Sequence, residues 1–579
     1  MKRPLAIYCD WSMHDELGDA VELDEAMTLR ALDMLARWQS KFGLYYDYYL
    51  LDAFWFDPTQ PYTSFKQPNW PEGFARARAR MAELGMTPGL WYDVNSSWLK
   101  VSAWEASLSA SGRGYSLAEG PYATALEAGW RHALQEWGVR LFKLDFANFN
   151  LAAAGSRMAP AENYNRSVEA LRGILTRLRR DFPDLVVIAY NGFERWPGFV
   201  STAIGTPSQA GFDRSWLDVC DYLYSGDPRP SDLPRTSLKR SIDIFQDHKA
   251  WLMARDGFPP ERVDDHGCMV GSTNTSFYQG ARGLQRTYLG TLARGSQRVI
   301  YYGDPALASD EQVRFMANAQ ALYFDAYRSG LCTIPVGGEP GVAPWHGFLT
   351  GGGAHGLLYL VNGSCSSQQT SLRLPGVSRA RVLSADETLD VPLAVSPDQL
   401  QIELLPEQMA LVGLGALADS GAELGVCTGT PQPAAMHLLP LVWQAEPEGR
   451  LVSSYRGAWE PGEELVVYAA SLAHPQHGRA GLVGGYLPER FGAEMTKKGE
   501  RPACSQAHAE LVITVKEGAG ALEPLASEPA VPIWAGTSWV ARRYQLTPEQ
   551  AQAGITLSVQ QHFNPERVIR VQAYRVRYL

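Results

Sequence analysis

The residues best placed to do chemistry are a lysine and an aspartate two positions apart, Lys143 and Asp145, in the segment WGVRLFKLDFANFN at 137–150. Its core, RLFKLDFA, reads as a continuous strand, and on a strand positions i and i+2 share one face. A lysine and an aspartate on a buried face are costly to desolvate unless they are paired. Pairing would keep Asp145 ionised and available as a nucleophile; the alternative is a structural ion pair. Acid/base work beside a nucleophile needs a second carboxylate. The segment DYLYSGDPRPSD at 221–232 supplies Asp227 and Asp232. Either could be a turn former beside proline. Their position after a strand-like run, two units beyond the Asp145 strand, places them on the same rim. Two carboxyls about 5–5.5 Å apart are what a retaining glycosidic displacement requires.

Such residues need a scaffold. Residues 1–330 repeat one pattern, a short apolar run ending in a polar residue and then an amphipathic helix-like stretch. The runs are LAIYCDW (5–11), YYLLDAFW (48–55), TPGLWYDV (87–94), RLFKLDFA (140–147), VVIAYNGF (186–193), DVCDYLYSGD (218–227), GCMVGST (267–273) and RVIYYGDP (298–305). Eight βα units predict an α/β chain folded as a (β/α)8 TIM barrel; an open doubly wound sheet is the alternative. Barrel chemistry sits at the carboxyl ends of the strands. Those ends carry Trp11, Asp52, Trp55, Tyr92, Asp93, Lys143, Asp145, Asn191 and Asp227. From 331 to 418, short alternating runs and Gly/Pro turns predict a small antiparallel β-sandwich. The stretch 419–437 reads as a linker or domain edge, within a C-terminal β-rich domain spanning 419–579.

Composition narrows the function class. The 579 residues are 45% hydrophobic and 20% charged, a globular balance, and no apolar run reaches the length of a membrane span. Net charge is −10 with no Lys/Arg cluster, so neither nucleic acid nor a membrane is an expected partner. Seven scattered Cys without a CxxC pair argue against a disulfide framework or a zinc site. No metal and no cofactor is expected. The start MKRPLAIYCDWS lacks a signal-peptide pattern, so the expected location is cytoplasmic. Of 17 Trp, 12 precede residue 252, which fits either an aromatic-lined ligand site or a large core. Gly351–Gly356 matches GxGxxG but precedes a strand, so it reads as a β-turn.

Four of these segments resemble the α-galactosidase (melibiase) glycoside hydrolases of clan D, families twenty-seven and thirty-six, over about residues 5–325. WGVRLFKLDFANFN resembles the family's nucleophile strand. YYLLDAFWFD, with NWPEGF and ARMAELGMTPGLWYDV, resembles a segment ending Asp-Asp-x-Trp, a turn, and a strand ending Tyr-Ala-Asp-Val. SGDPRPSD stands where the family's acid/base follows strand six, and VIYYGDP resembles the last barrel strand. The resemblance implies a retaining α-glycoside hydrolase acting on an oligosaccharide or glycoside, without cofactor. Asp145 would be the nucleophile and Asp227, or else Asp232, the acid/base. Lys143 and Asp52 would bind sugar hydroxyls, while Trp11, Trp55, Tyr92 and Asn191 would line the substrate site. Ala53 departs from the second Asp of Asp-Asp-x-Trp, and AYNGFE departs at the end of strand five. A transglycosidase of the raffinose-synthase-like branch and a catalytically inactive carbohydrate-binding barrel are the rival readings. Self-association into a homo-oligomer stays open.

Overall fold

The structure, a computed structural model, describes residues 4–14, 22–190, 192–193, 213–225, 241–265, 268–270, 283–422, 424–427, 432–472, 511–527, 538–561 and 568–579. Three expected site residues, Asn191, Asp227 and Asp232, lie outside the described residues.

The first part of the chain forms one parallel sheet. Its strands are β1 (Leu5–Cys9), β2 (Tyr48–Leu51), β3 (Thr87–Asp93), β4 (Leu141–Asp145), β5 (Val186–Ala189), β6 (Tyr222–Tyr224), β7 (Val263–Asp264), β8 (Met269–Val270) and β9 (Arg298–Gly303). They lie in the order β7-β6-β5-β4-β3-β2-β1-β9-β8. β7 and β8 are two pieces of a single barrel strand, one paired with β6 and the other with β9. The result is an eight-stranded, nearly closed TIM barrel, as the repeated βα pattern predicts.

Both faces of these strands are buried, which is why they read as near-continuous apolar runs. Ile7, Leu50, Leu141, Ile188, Ile300 and Tyr302 fill the barrel interior. The alternate residues Tyr8, Leu51, Phe142, Leu144, Val187 and Tyr301 face the helices. Those helices start and stop as their ends dictate. Over Glu25–Phe42, the Asp24 side chain accepts from the Met27 N–H at 2.6 Å, and Gly43 closes the last turn at φ 71. Its apolar stripe of Met27, Ala31, Leu35 and Trp38 is buried. No helix among the described residues is long and apolar enough to cross a membrane.

A β-sandwich follows the barrel, with a six-stranded and a three-stranded sheet over a core that includes Leu358, Leu360, Leu400 and Val412. The GxGxxG match lies where Trp345–Gly352 turns back as His355–Asn362, so it is a hairpin turn. The stretch 419–437 is more structured than a linker. Gly425–Cys427 joins the six-stranded sheet parallel to Ala380–Asp386, and Pro433–Leu438 pairs with Val568–Tyr578 in the last domain. That domain stacks two five-stranded sheets over Leu465, Val467, Val515, Leu557 and Val559. Trp459 belongs to this core and donates from Nε1 to the Glu463 carbonyl at 3.1 Å.

Buried charges tie the barrel to the sandwich. Arg286 on the barrel helix Gly283–Ala293 pairs with Asp386, and both are essentially inaccessible to water. Nearby, Arg294 pairs with Asp247 at 2.9 Å and Asp265 at 2.5 Å, and His346 Nε2 lies 2.9 Å from Asp247. Removing one partner of a buried ion pair strands the other charge in a poor solvent for it. Arg286→Met is therefore expected to destabilise the protein by about 3–5 kcal/mol. Urea unfolding of the purified variant checks this, and an unchanged midpoint would contradict it.

Candidate active site

Three inward-facing positions on β4 decide the site. Leu141, Lys143 and Asp145 point into the barrel, while Phe142 and Leu144 pack outward under the helices. The Lys143 ammonium reaches across to β2 and donates to Asp52 Oδ2 at 2.8 Å, with the two side chains 3% and 1% exposed. It also sits 4.2 Å from the Tyr190 ring centre and 5.1 Å from that of Tyr302, both favourable positions for a cation. Burial works against the ammonium, but Asp52, Cys9 and Asp145 outweigh it and hold the Lys143 pKa above its usual value. Asp52 is fixed further by the Cys9 thiol, which donates to Oδ2 at 3.2 Å, and by the Ala53 N–H, which donates to Oδ1 at 2.8 Å. Burial, with Asp52 adding to it, pushes the Cys9 thiol pKa well up.

Asp145 ends β4 beside this pair and is 5% exposed. Its Oδ2 accepts from the Trp91 indole Nε1–H at 3.0 Å, and its Oδ1 accepts from the Phe146 N–H at 2.8 Å. Burial pushes its pKa up to about 6, against the downward pull of Lys143 and the two donors. Directly across the β3–β4 ladder stands Asp93. Its Oδ1 accepts from the Asn95 N–H at 3.1 Å and its Oδ2 from the Ser97 N–H at 2.6 Å. Burial raises Asp93 to about 7, and the charge of Asp145 adds to that rise.

The structure thus brings together Lys143, Asp145 and Asp52. Trp11, half-buried in the single helical turn after β1, packs on the interior cluster beside them. Two expected lining residues are not there. Tyr92 follows Trp91 on β3 and faces outward, its ring edge-on to Phe142 at 5.0 Å, Trp130 at 5.6 Å and Trp55 at 5.8 Å. Trp55 is also fully buried outside the barrel, and its Nε1–H donates to the Trp91 carbonyl at 2.8 Å. A one-residue slip on a strand exchanges its faces. Aligned on its Asp, the Tyr-Ala-Asp-Val pattern puts its aromatic residue on Trp91, so that alignment would have found the inward ring. Asp93 was legible as a strand end, but nothing in the sequence marked its two backbone bonds.

No family model and no curated protein matches the chain. Solved structures resemble it at low identity. The galactosidase domain of the α-galactosidase–sucrose kinase AgaSK shares 14% identity at a TM-score of 0.47, covering 72% of this chain and 55% of that one. The α-galactosidase I from Mortierella vinacea shares 13% at a TM-score of 0.44, covering 72% and 98%. A putative α-galactosidase from Bacteroides fragilis shares 14% at a TM-score of 0.43, covering 72% and 80%. The chain spans about half the length of the first of these. At such distances the reading of the site stands on this chain's own residues.

What those residues form is a buried carboxylate at a strand's carboxyl end, held by two N–H donors beside a neutralised lysine. Lys143→Met removes the one cation next to Asp145 among the groups that shift its pKa. Asp145 should then titrate above about 6, with a larger protonated fraction at neutral pH than in the wild type. Carboxyl carbon shifts of aspartate-labelled protein, compared with an Asp145→Asn control, measure that change.

Proposed function

We propose that the chain is a retaining α-glycoside hydrolase of the α-galactosidase-like kind, and the observation that carries this reading is Asp145. It is buried yet bonded through both oxygens. It also lies at the barrel end where such folds do chemistry. In the first step an Asp145 oxygen attacks the anomeric carbon. The bond to the leaving oxygen breaks as that oxygen takes a proton from Asp227, with Asp232 the alternative donor. The product is a glycosyl ester on Asp145. Water, giving its proton to the same acid/base residue, then attacks the anomeric carbon and frees Asp145 as a carboxylate.

The other residues bind and orient. In this reading Asp52 and Lys143 are the acceptor and donor for sugar hydroxyls, and Trp11 lines the first subsite. Trp91 keeps the attacking carboxylate in one rotamer. Ala53 leaves a methyl group where the resemblance implies a second carboxylate. That observation favours one rival reading, a barrel that binds carbohydrate without catalysis.

Asp145→Ala should abolish turnover of 4-nitrophenyl α-glycosides while the fold persists, and full activity would end the assignment. Azide should restore turnover to Asp227→Ala and not to Asp232→Ala; the reverse pattern moves the acid/base to Asp232. Release from β-glycosides alone would overturn the α-assignment. Products formed with excess sugar acceptor separate hydrolysis from transfer.

The acidic limb of the pH profile follows from Asp145. Protonated, it cannot attack, so kcat/KM should rise with pH through about 6 and level off above it. In Trp91→Phe the carboxylate loses a donor that favours its charged form, so the limb should move to higher pH. A limb that stays in place would separate the indole from the nucleophile.

A further inference from the structure

The rim next to Asp145 is, among the described residues, aromatic, whereas the inward Lys143–Asp52 pair is charged. Among the described residues, large exposed aromatic side chains are few: Trp98 is 62% exposed, Tyr45 42% and Phe146 39%. Phe146 follows Asp145 directly in the chain, and the Trp98 ring packs against it. Phe146 is the residue whose N–H binds the Asp145 carboxylate. Its ring lies 6.0 Å from Trp91 and 6.4 Å from Trp98, in both cases edge to face. Phe54 extends the row, 5.6 Å from Trp91.

This row is built, not incidental. Phe54 and Phe146 hold φ of 69° and 51°, a left-handed backbone that bulky residues seldom adopt without a reason. The turn that carries Trp98 is pinned at its base by both oxygens of Asp93. Asn95, in that turn, accepts from the Asn148 N–H at 2.7 Å and donates to the Tyr115 carbonyl at 2.8 Å. The turns after β3 and β4, which carry Trp98 and Phe146, are thereby locked together.

Resting on the glycosidase reading, we infer that Trp98 and Phe146 form the leaving-group subsite. They would stack on the apolar face of the pyranose joined through the scissile oxygen. The sugar that forms the ester must reach Asp145 and the Lys143–Asp52 pair, which lie inside the barrel. The ring that leaves must then lie toward solvent, where the two aromatics are. A pyranose presents a face of C–H bonds, and an exposed indole offers a broad flat apolar surface for it at little conformational cost.

The test compares a leaving group that reaches the rings with one that does not. A panel of α-glycosyl fluorides first identifies the sugar that the wild-type protein hydrolyses fastest. That sugar is then supplied as its fluoride and as its α-1,6-linked disaccharide with glucose. In Trp98→Ala, kcat/KM for the disaccharide relative to the fluoride should fall about tenfold. Trp98→Phe should recover most of that ratio and Trp98→Leu should not. A ratio within twofold of wild type, or equal recovery by Leu and Phe, overturns the subsite while leaving the glycosidase intact. Failure of the wild-type protein to release fluoride from any of the panel overturns the glycosidase reading and the subsite with it.

Discussion

A lysine ammonium buried inside a barrel must be neutralised, and the Lys143–Asp52 ion pair that does so organises the strand ends around it. An uncompensated charge there would cost several kcal/mol. The pair joins β4 to β2 across the barrel interior at 2.8 Å. From Asp52 the constraint spreads to β1. Its N–H donates to Asp10 Oδ1 at 2.9 Å, its carboxylate takes the Cys9 thiol, and the Tyr49 hydroxyl donates to Asp10 at 3.2 Å. The carboxyl ends of three strands are thus fixed by one buried network. Burial keeps water away from the pair, whose side chains are 3% and 1% exposed, and that exclusion strengthens it.

Asp145 inherits this field without being consumed by it. Lys143 favours its charged form, whereas burial and the neighbouring Asp52 oppose it. The balance at about 6 leaves it ionised at neutral pH but only modestly stabilised, the condition a nucleophile needs. Asp93, its cross-strand neighbour, shows how environment divides labour between like groups. Both of its oxygens accept from backbone N–H groups of the following turn, so it serves to shape the loop. Two carboxylates of one sequence type, facing each other on adjacent strands, are given different work by the donors around them.

Legibility followed the physics of each signal. β4 was readable because alternation on a buried strand puts Lys143 and Asp145 on one face and their apolar neighbours on the other. Within the run YYLLDAFW, β2 stops at Leu51. There Asp52 accepts from the Ala53 N–H and Phe54 turns at φ 69. A hydropathy pattern carries no mark of such a cap. The apolar run 267–273 predicts the seventh strand, whereas its first piece is Val263–Asp264, in a polar stretch whose pairing with β6 comes from tertiary context. Gly425–Cys427 has no sequence signal for a similar reason, since a three-residue strand has too few side chains to show a period. The buried Arg286–Asp386 pair, 100 residues apart in sequence, had no local signal at all.

The aromatic residues make the last connection between composition and site. Trp enrichment before residue 252 invited the idea of rings touching substrate, but most of those rings act from behind the strands. Trp55, Tyr62, Phe65, Tyr92 and Trp137 form an edge-to-face cluster outside β3. From it the Trp55 indole reaches the Trp91 carbonyl. That bond fixes the backbone of the residue whose own indole, on the opposite face, holds Asp145. A rigid outer layer is therefore what allows an inner side chain to aim a carboxylate, because a strand cannot rotate one face without the other. The packing and the site are two readings of the same strand.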